Sequence, residues 1–251
     1  MRDIIDYASK YINEPFEDTI VEIRKKLVIK QCKKYVHRNI LEVGCGISPL
    51  FRDYKDFDHM VIVEPSGEFV RNAQELAKRE CVDDKVSIYN GFAEDISEEI
   101  KKAEEEFDFI IISSLLHEVE DPKRLLSGIR SLCADHTMVH INVPNANSLH
   151  RLIAFENGMI ADIHEQSAQQ ILMQRHRTYD MQSLAKEVSD AGFCIEDNGS
   201  YFIKPFTHTQ MQKCLDADII DEHVLEGLEK LVKYLPEFGA EIYINCKKIG
   251  F

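Results

Sequence analysis

Between positions 40 and 143 the chain alternates two hydrophobic patterns. Ile40–Val43, Met60–Val63, Val86–Tyr89, Phe107–Ile112 and Thr137–Val143 are short, mainly apolar runs. This is the pattern of strands covered on both faces. Between them apolar residues recur every three or four positions, as in Leu125, Leu126, Ile129 and Leu132, which predicts amphipathic helices at 66–80, 96–105 and from Pro122 onward. Ser66 and Asp121 are placed to cap two of these, and Asp121 is followed by Pro122 at the first helical position. Ser48 and Pro49 suggest a further helix start in the same way. Strand and helix in strict alternation imply a parallel sheet with helices on both faces. Ligand-binding residues then gather at the carboxyl ends of its strands.

The flanks read differently. Residues 2–12 form a short amphipathic stretch carrying Tyr7 and Tyr11. A second helix opens at Pro15, with Phe16, Ile20, Ile23, Leu27 and Val28 at helical spacing through to about Val36. After Pro144, residues 145–180 are rich in Asn, Gln, His and Arg and show helical stretches without a strand. A helix at 181–191 ends at Gly192, a usual residue just past a helix C-terminus. Phe193–Asp197 and Tyr201–Ile203 are β-like, 206–235 is helical, and Glu241–Cys246 is a last strand. With no repeat or linker, the expected organisation is one domain over 1–251. Leading helices occupy 1–37, a ligand-binding core 38–144 and a cap insertion 145–180. The end of the sheet spans 181–251, with a second insertion at 206–235.

The run Ile40–Leu41–Glu42–Val43–Gly44–Cys45–Gly46 ends a strand in a glycine turn, where a ligand can press against bare backbone. Eighteen residues past Gly46 stands Glu64, at the tip of the second apolar run, where an acid can accept both hydroxyls of a ribose. The third glycine of a dinucleotide fingerprint is missing, since Pro49 occupies its place, which disfavours a pyrophosphate. This run, followed by Val61–Ile62–Val63–Glu64–Pro65–Ser66, resembles motifs I and II of the class I S-adenosylmethionine-dependent methyltransferases. Asn90–Gly91–Phe92–Ala93–Glu94–Asp95–Ile96 is similar to that family's adenine-side loop, and Phe107–Pro122 to its fourth strand and following loop. The resemblance is close over residues 38–145.

It implies a Rossmann-like α/β fold, a seven-stranded, mostly parallel sheet with one antiparallel strand and helical cap insertions. It also implies S-adenosylmethionine as cofactor and S-adenosylhomocysteine as product. On the same ground Glu42, Gly44, Cys45 and Gly46 are expected around the methionine portion and Glu64 with Pro65 at the ribose. Phe92, Ala93 and Glu94 are expected at the adenine, and Ser113 and Ser114 near the cofactor from the fourth strand. A looser resemblance of the region after Val143 points to ubiquinone-pathway O-methyltransferases and bacterial sugar- or polysaccharide-tailoring methyltransferases. The expected reaction is methyl transfer to a hydroxyl of a small molecule. N-methylation of a small amine is the alternative, as is a catalytically silent subunit that binds the cofactor and supports a partner.

A hydroxyl acceptor calls for a base, and histidine is the usual one near neutral pH. His117, just beyond the fourth strand, is the first candidate, and His176, in Arg175–His176–Arg177–Thr178–Tyr179–Asp180, the second. His150 and His164 lie on helical stretches, and His140 within a strand reads as structural. The ubiquinone-pathway relatives carry Glu-x-x-Glu-His in the loop that holds His117. Here Ser114, Leu115, Leu116, His117 and Glu118 stand there, leaving two potential ligands, so no metal is expected.

Charge narrows the partners. The 251 residues carry a net charge of −14, and no block of Lys and Arg interleaves with aromatics, which argues against nucleic acid. No apolar run has the length of a membrane span, so no membrane partner is expected; a homodimer is left open. Seven cysteines without a Cys-x-x-Cys pair fit a reducing compartment, and a cytoplasmic location is expected. Cys45 is tempting as a nucleophile, but a small side chain in a tight turn accounts for it more simply.

Overall fold

The structure, a computed structural model, describes residues 15–166, 170–171 and 175–250. The amphipathic stretch at 2–12, with Tyr7 and Tyr11, lies outside the described residues. Seven strands, β1 (Asn39–Val43), β2 (His59–Glu64), β3 (Val86–Asn90), β4 (Phe107–Ser113), β5 (Cys133–Pro144), β6 (Phe193–Tyr201) and β7 (Glu241–Lys248), form one sheet in the order β3-β2-β1-β4-β5-β7-β6. Neighbours are parallel except for β7, which runs antiparallel to both β5 and β6. The strand pattern predicts a parallel sheet with helices on both faces, and the family resemblance implies the seven-stranded, mostly parallel Rossmann-like arrangement with one antiparallel strand.

Both faces are covered, which is why the central strands read as unbroken apolar runs. On one face Leu41, Val43, Val61, Val63, Ile110, Ile112, Val139 and Ile141 pack under α3 (Ala93–Ala103), α4 (Pro122–Leu132) and α6 (Met181–Asp190). Their alternates Ile40, Met60, Ile62, Phe109, Ile111 and Met138 pack under α1 (Glu17–Cys32) and α2 (Gly67–Arg79). Each fully buried side chain of this size contributes about 1.5–3 kcal/mol. A third cluster joins Phe16, Ile20 and Ile23 to Tyr201, Phe202 and Met211. It brings α7 (His208–Asp216) and α8 (Glu222–Lys230) over the first half of α1. In the region after β5, α5 spans Leu149–Glu156 and a parallel bridge joins Asn145 to Tyr179.

Caps hold where the sequence placed them. Ser66 accepts from the Phe69 amide, Asp121 from the Arg124 amide with Pro122 next in line, and Gly192 follows α6 with φ +85°. The helix expected from Pro49 does not form. Pro49 is extended, and a single 3-10 turn, Leu50–Arg52, follows it. The reason is competition for the capping oxygen: Ser48 Oγ accepts from Lys25 Nζ at 2.6 Å and from Arg52 at 3.0 Å. β6 is one strand instead of two pieces, with a register shift between Ile195 and Asp197, and it ends at Tyr201, just before Phe202, whose φ is +57°. The helix expected at 96–105 begins earlier, at Ala93. The strand order reverses between β1 and β4, and the crevice at their carboxyl ends is where an open α/β sheet takes its ligand.

Candidate active site

β1 ends at Val43, and the chain turns through Gly44 at φ +77° and Gly46 at φ +56°, conformations that favour glycine. Gly44 donates its N–H to the Val63 carbonyl at 2.8 Å, and a Cβ there would meet Leu115 Cδ2 at 3.4 Å. Among the described residues, a Cβ at Gly46 would meet nothing within 4 Å. The open side of Gly46 faces a cavity of about 560 Å³. Asn72 of α2 fixes the turn by donating to the Ile47 carbonyl at 2.7 Å.

Two carboxylates sit under this turn. Glu64, buried at the tip of β2, accepts from the Gly46 amide at 3.2 Å and from the Ser66 amide at 2.8 Å. Glu42, at the end of β1, accepts from the Leu50 amide at 3.0 Å. Burial raises the Glu42 carboxyl to about 7, with the nearby Glu64 charge pushing the same way and the Leu50 bond and Lys25 opposing. Cys45 lies between them, its Sγ 4.0 Å from Glu64 Oε2. Burial and both acids push its thiol far above the ordinary value, so it carries no thiolate nucleophile. All seven cysteines are free.

The opposite wall is Ser113, Ser114, Leu115 and Glu118, from the end of β4 and its loop. The third wall is a stripe of α1 that includes Glu17, Val21, Arg24, Lys25 and Ile29. In the resembled family leading helices commonly cover one side of the cofactor pocket, and α1 stands on one side of this cavity; its mixed charged and apolar stripe carries no hydrophobic signature of that position. Pro65, Ser66 and Phe69 close the far side.

The candidate bases fall differently from their expected positions. His117 is 1% exposed and lies behind the wall, with Nε2 3.7 Å from Glu118 Oε1. Glu118, one position on, is the side chain on the cavity. The side chain of His176 is exposed, and its amide donates to the His117 carbonyl at 2.9 Å. Arg177 binds the same carbonyl at 3.1 Å and also the carbonyls of Val119 and Glu120, while Arg175 Nε stands 3.6 Å from Glu118 Oε1. Residues 175–177 thus clamp the loop after β4. His150 is kept neutral by burial and by Lys204 and His208, and its Nδ1 has no hydrogen-bond partner among the described residues. His164 pairs with Asp180 at 3.2 Å, and His140 is fully buried between Asn142 and Asn245. Phe92 precedes α3 as its N-cap residue and Ala93 and Glu94 open the helix; none of the three lines the cavity, and burial pushes the Glu94 carboxyl up. Among the described residues no three His, Cys, Asp or Glu side chains converge as a metal site, and no helix is long and apolar enough to cross a membrane.

A cavity with bare backbone at Gly46 and a prearranged acceptor at Glu64 suits a nucleoside with a free ribose. A family model described as a methyltransferase domain matches residues 1–198, and the chain belongs to that family. No curated protein matches it at significance. Among solved structures, an S-adenosylmethionine-dependent methyltransferase from Clostridium acetobutylicum superposes with a TM-score of 0.57 at 10% identity, over 91% of this chain and 92% of that one. The N-methyltransferase NodS from Bradyrhizobium japonicum, solved with S-adenosylhomocysteine, gives 0.55 at 10% identity, over 95% and 90%. An S-adenosylmethionine-dependent methyltransferase from Mesorhizobium loti gives 0.54 at 13% identity, over 84% and 90%. At such identities these structures share the fold. The protein is a class I methyltransferase, an enzyme whose cofactor is S-adenosylmethionine.

Proposed function

We propose that this enzyme methylates a hydroxyl group of a small molecule, such as one linked to a sugar, which enters between α1 and the loop after β4. The bound cofactor supplies an electrophilic methyl group on a sulfonium centre. Glu64 and Pro65 would hold its ribose, and Glu42, Gly44, Cys45 and Gly46 its methionine portion. Ser113 and Ser114 would lie beside it, and Phe92, Ala93 and Glu94 at the adenine end. Residues 145–180 would act as the cap over the acceptor, an assignment supported by the clamp of 175–177 on the loop after β4.

The observation that carries the hydroxyl reading is Glu118, a buried carboxylate on the cavity wall with His117 3.7 Å behind it and Arg175 at 3.6 Å. An alcohol becomes more acidic as its oxygen bonds to carbon, so a positioned acceptor for its proton speeds the step. Glu118 takes that proton, and His117 supports it from behind. His176 serves through its backbone. The acids Glu17, Asp18 and Glu22 on the same cavity favour a second reading, in which a protonated amine is attracted, releases a proton to solvent or to a carboxylate, and is methylated through its freed lone pair.

Labelled S-adenosylmethionine offered with nucleotide-sugars, phenols and amines separates the readings. The hydroxyl reading expects label on hydroxyl compounds. It also expects Glu118→Gln to lower kcat by about 10²–10⁴-fold with S-adenosylhomocysteine affinity intact. Label on amines alone replaces it with the second reading. Cofactor binding without transfer to any of them overturns both readings and points to an acceptor of another class.

A further inference from the structure

We infer that Asn142, one layer beneath the cavity wall, is a positioning residue for cofactor binding: oriented by His140, it holds the turn formed by Ser113 and Ser114. Sheet register brings the parts together. Ser113 of β4 is paired with Asn142 of β5, Ile111 with His140, and His140 with Asn245 of β7. Alternation along β5 puts Asn142 and His140 on one face, the apolar face under α1 that also buries Phe109, Ile111 and Met138. Asn142, His140 and Asn245 are each 0% exposed. Three fully buried polar side chains in an apolar layer carry a large penalty unless every group is bonded.

They are bonded, and the direction of each bond is fixed from both ends. The Ser114 amide can only donate, so the atom of Asn142 facing it at 3.0 Å is the oxygen. The Asn142 amide nitrogen then donates to Ser113 Oγ at 3.0 Å and to His140 Nε2 at 3.1 Å. His140 therefore carries its proton on Nδ1 and donates to Asn245 Oδ1 at 2.7 Å. Asn245 in turn donates to Gln31 Oε1 of α1 at 3.0 Å and to Asp197 Oδ2 of β6 at 3.3 Å. A carboxylate only accepts, so Asp197 demands the same polarity as the Ser114 amide does at the other end.

The turn at the head of this row needs holding. Ser114 sits at φ +52°, a conformation that side chains other than glycine rarely adopt, and its amide is shared between the side-chain and main-chain oxygens of Asn142, both at 3.0 Å. Ser113 and Ser114 line the cavity; Asn142 does not. Around His140 stand the Phe109 ring of β4 and the Tyr243 ring of β7. The Lys34–Asp197 ion pair at 2.8 Å lies toward the end of α1. Burial holds the imidazole neutral, lowering it to about 4. A neutral imidazole is what the row requires, because a proton on Nε2 would face the amide donor of Asn142.

Two measurements test this on the full chain with S-adenosylhomocysteine as probe. Nitrogen-15 NMR of the wild-type protein at pH 7 should show His140 as the neutral tautomer protonated on Nδ1. The Nε2-protonated tautomer would reverse Asn142 and overturn the proposal without any variant. His140→Phe keeps a ring between Phe109 and Tyr243 but removes the acceptor, and Asn142→Leu removes the holder. Each should shift the Ser114 amide resonance and weaken S-adenosylhomocysteine binding by about 10-fold, and the double variant should be no worse than Asn142→Leu, since the two act in series. Folded variants that bind within twofold of wild type would overturn it. The proposal rests on the cofactor alone and stands or falls apart from the nature of the acceptor.

Discussion

The guanidinium of Arg24 donates to both carboxylate oxygens of Glu241, 217 positions away in the chain, with Nε 2.9 Å from Oε2. Tyr201 donates its hydroxyl to the same carboxylate, and Glu17 stands 3.7 Å from the guanidinium. Against the upward push of burial, Arg24 and Tyr201 hold Glu241 below the usual carboxylate value. The pair seats α1, which walls the cavity, on the first residue of β7. Arg24→Ala should destabilise the fold by about 3–5 kcal/mol, because it strands a buried charge. Replacing both partners by apolar residues of similar size should cost much less. Urea unfolding of the single and double variants checks this, and equal losses would mean that the pair itself supplies the stability.

Glu64 is set before any ligand arrives, by the amides of Gly46 and Ser66. Glu64→Ala should weaken S-adenosylhomocysteine binding by about 1.5–3 kcal/mol, the range for a hydrogen bond to a charged group. Titration calorimetry gives the answer directly, and unchanged affinity would remove Glu64 from the ribose.

The two glycines of the turn should fail in different ways. Both have positive φ, so alanine at either strains the backbone by about 1 kcal/mol or more. At Gly44 the new methyl group makes an ordinary contact with Leu115, leaving backbone strain as the main cost, whereas at Gly46 it meets none of the described residues and projects toward the cavity. Gly46→Ala should therefore lose more cofactor affinity than stability, and Gly44→Ala the reverse. Thermal melts paired with binding curves distinguish them.

Glu42 makes stability depend on pH. Its carboxyl is raised from 4.5 to about 7 by burial, so the folded protein prefers it protonated. The stability tied to that preference is fully present below about 4.5 and is lost as pH rises through about 7. Glu42→Gln, which cannot ionise, should match wild type at low pH and exceed it above pH 7 by about 3 kcal/mol. Unfolding curves of the ligand-free proteins at several pH values test the sign. A variant less stable than wild type at pH 8 would contradict it.

Sheet and cofactor motifs were legible because both faces of the sheet are covered: Met60–Val63 needs no alternation to read as a strand. The amphipathic helices were legible for the opposite reason, each having one wet face. Non-local competition hid the rest. Ser48 looks like a helix cap until Lys25, 23 positions earlier, claims its oxygen. The α1 stripe on the cavity looks like surface because its buried members, Glu17 and Arg24, are charged. At the loop after β4 the sequence offered His117, and the fold turned Glu118 to the cavity instead. A shift of one residue in a loop has no signature in hydrophobic pattern, since both side chains end up buried.

β7 lies between β5 and β6, antiparallel to each. The strand that comes off the ribosome after all the others is thus an interior strand of the finished sheet. β5 is complete at Pro144 and β7 only at Lys248, about 100 residues later, which at typical translation speeds is roughly 5–20 s. Throughout that interval the edge of β5, with Val139, Ile141 and Val143, has no strand to pair with, and β6 has no neighbour. A nascent chain in this state presents an exposed apolar strand edge, which is the feature that invites aggregation or a chaperone.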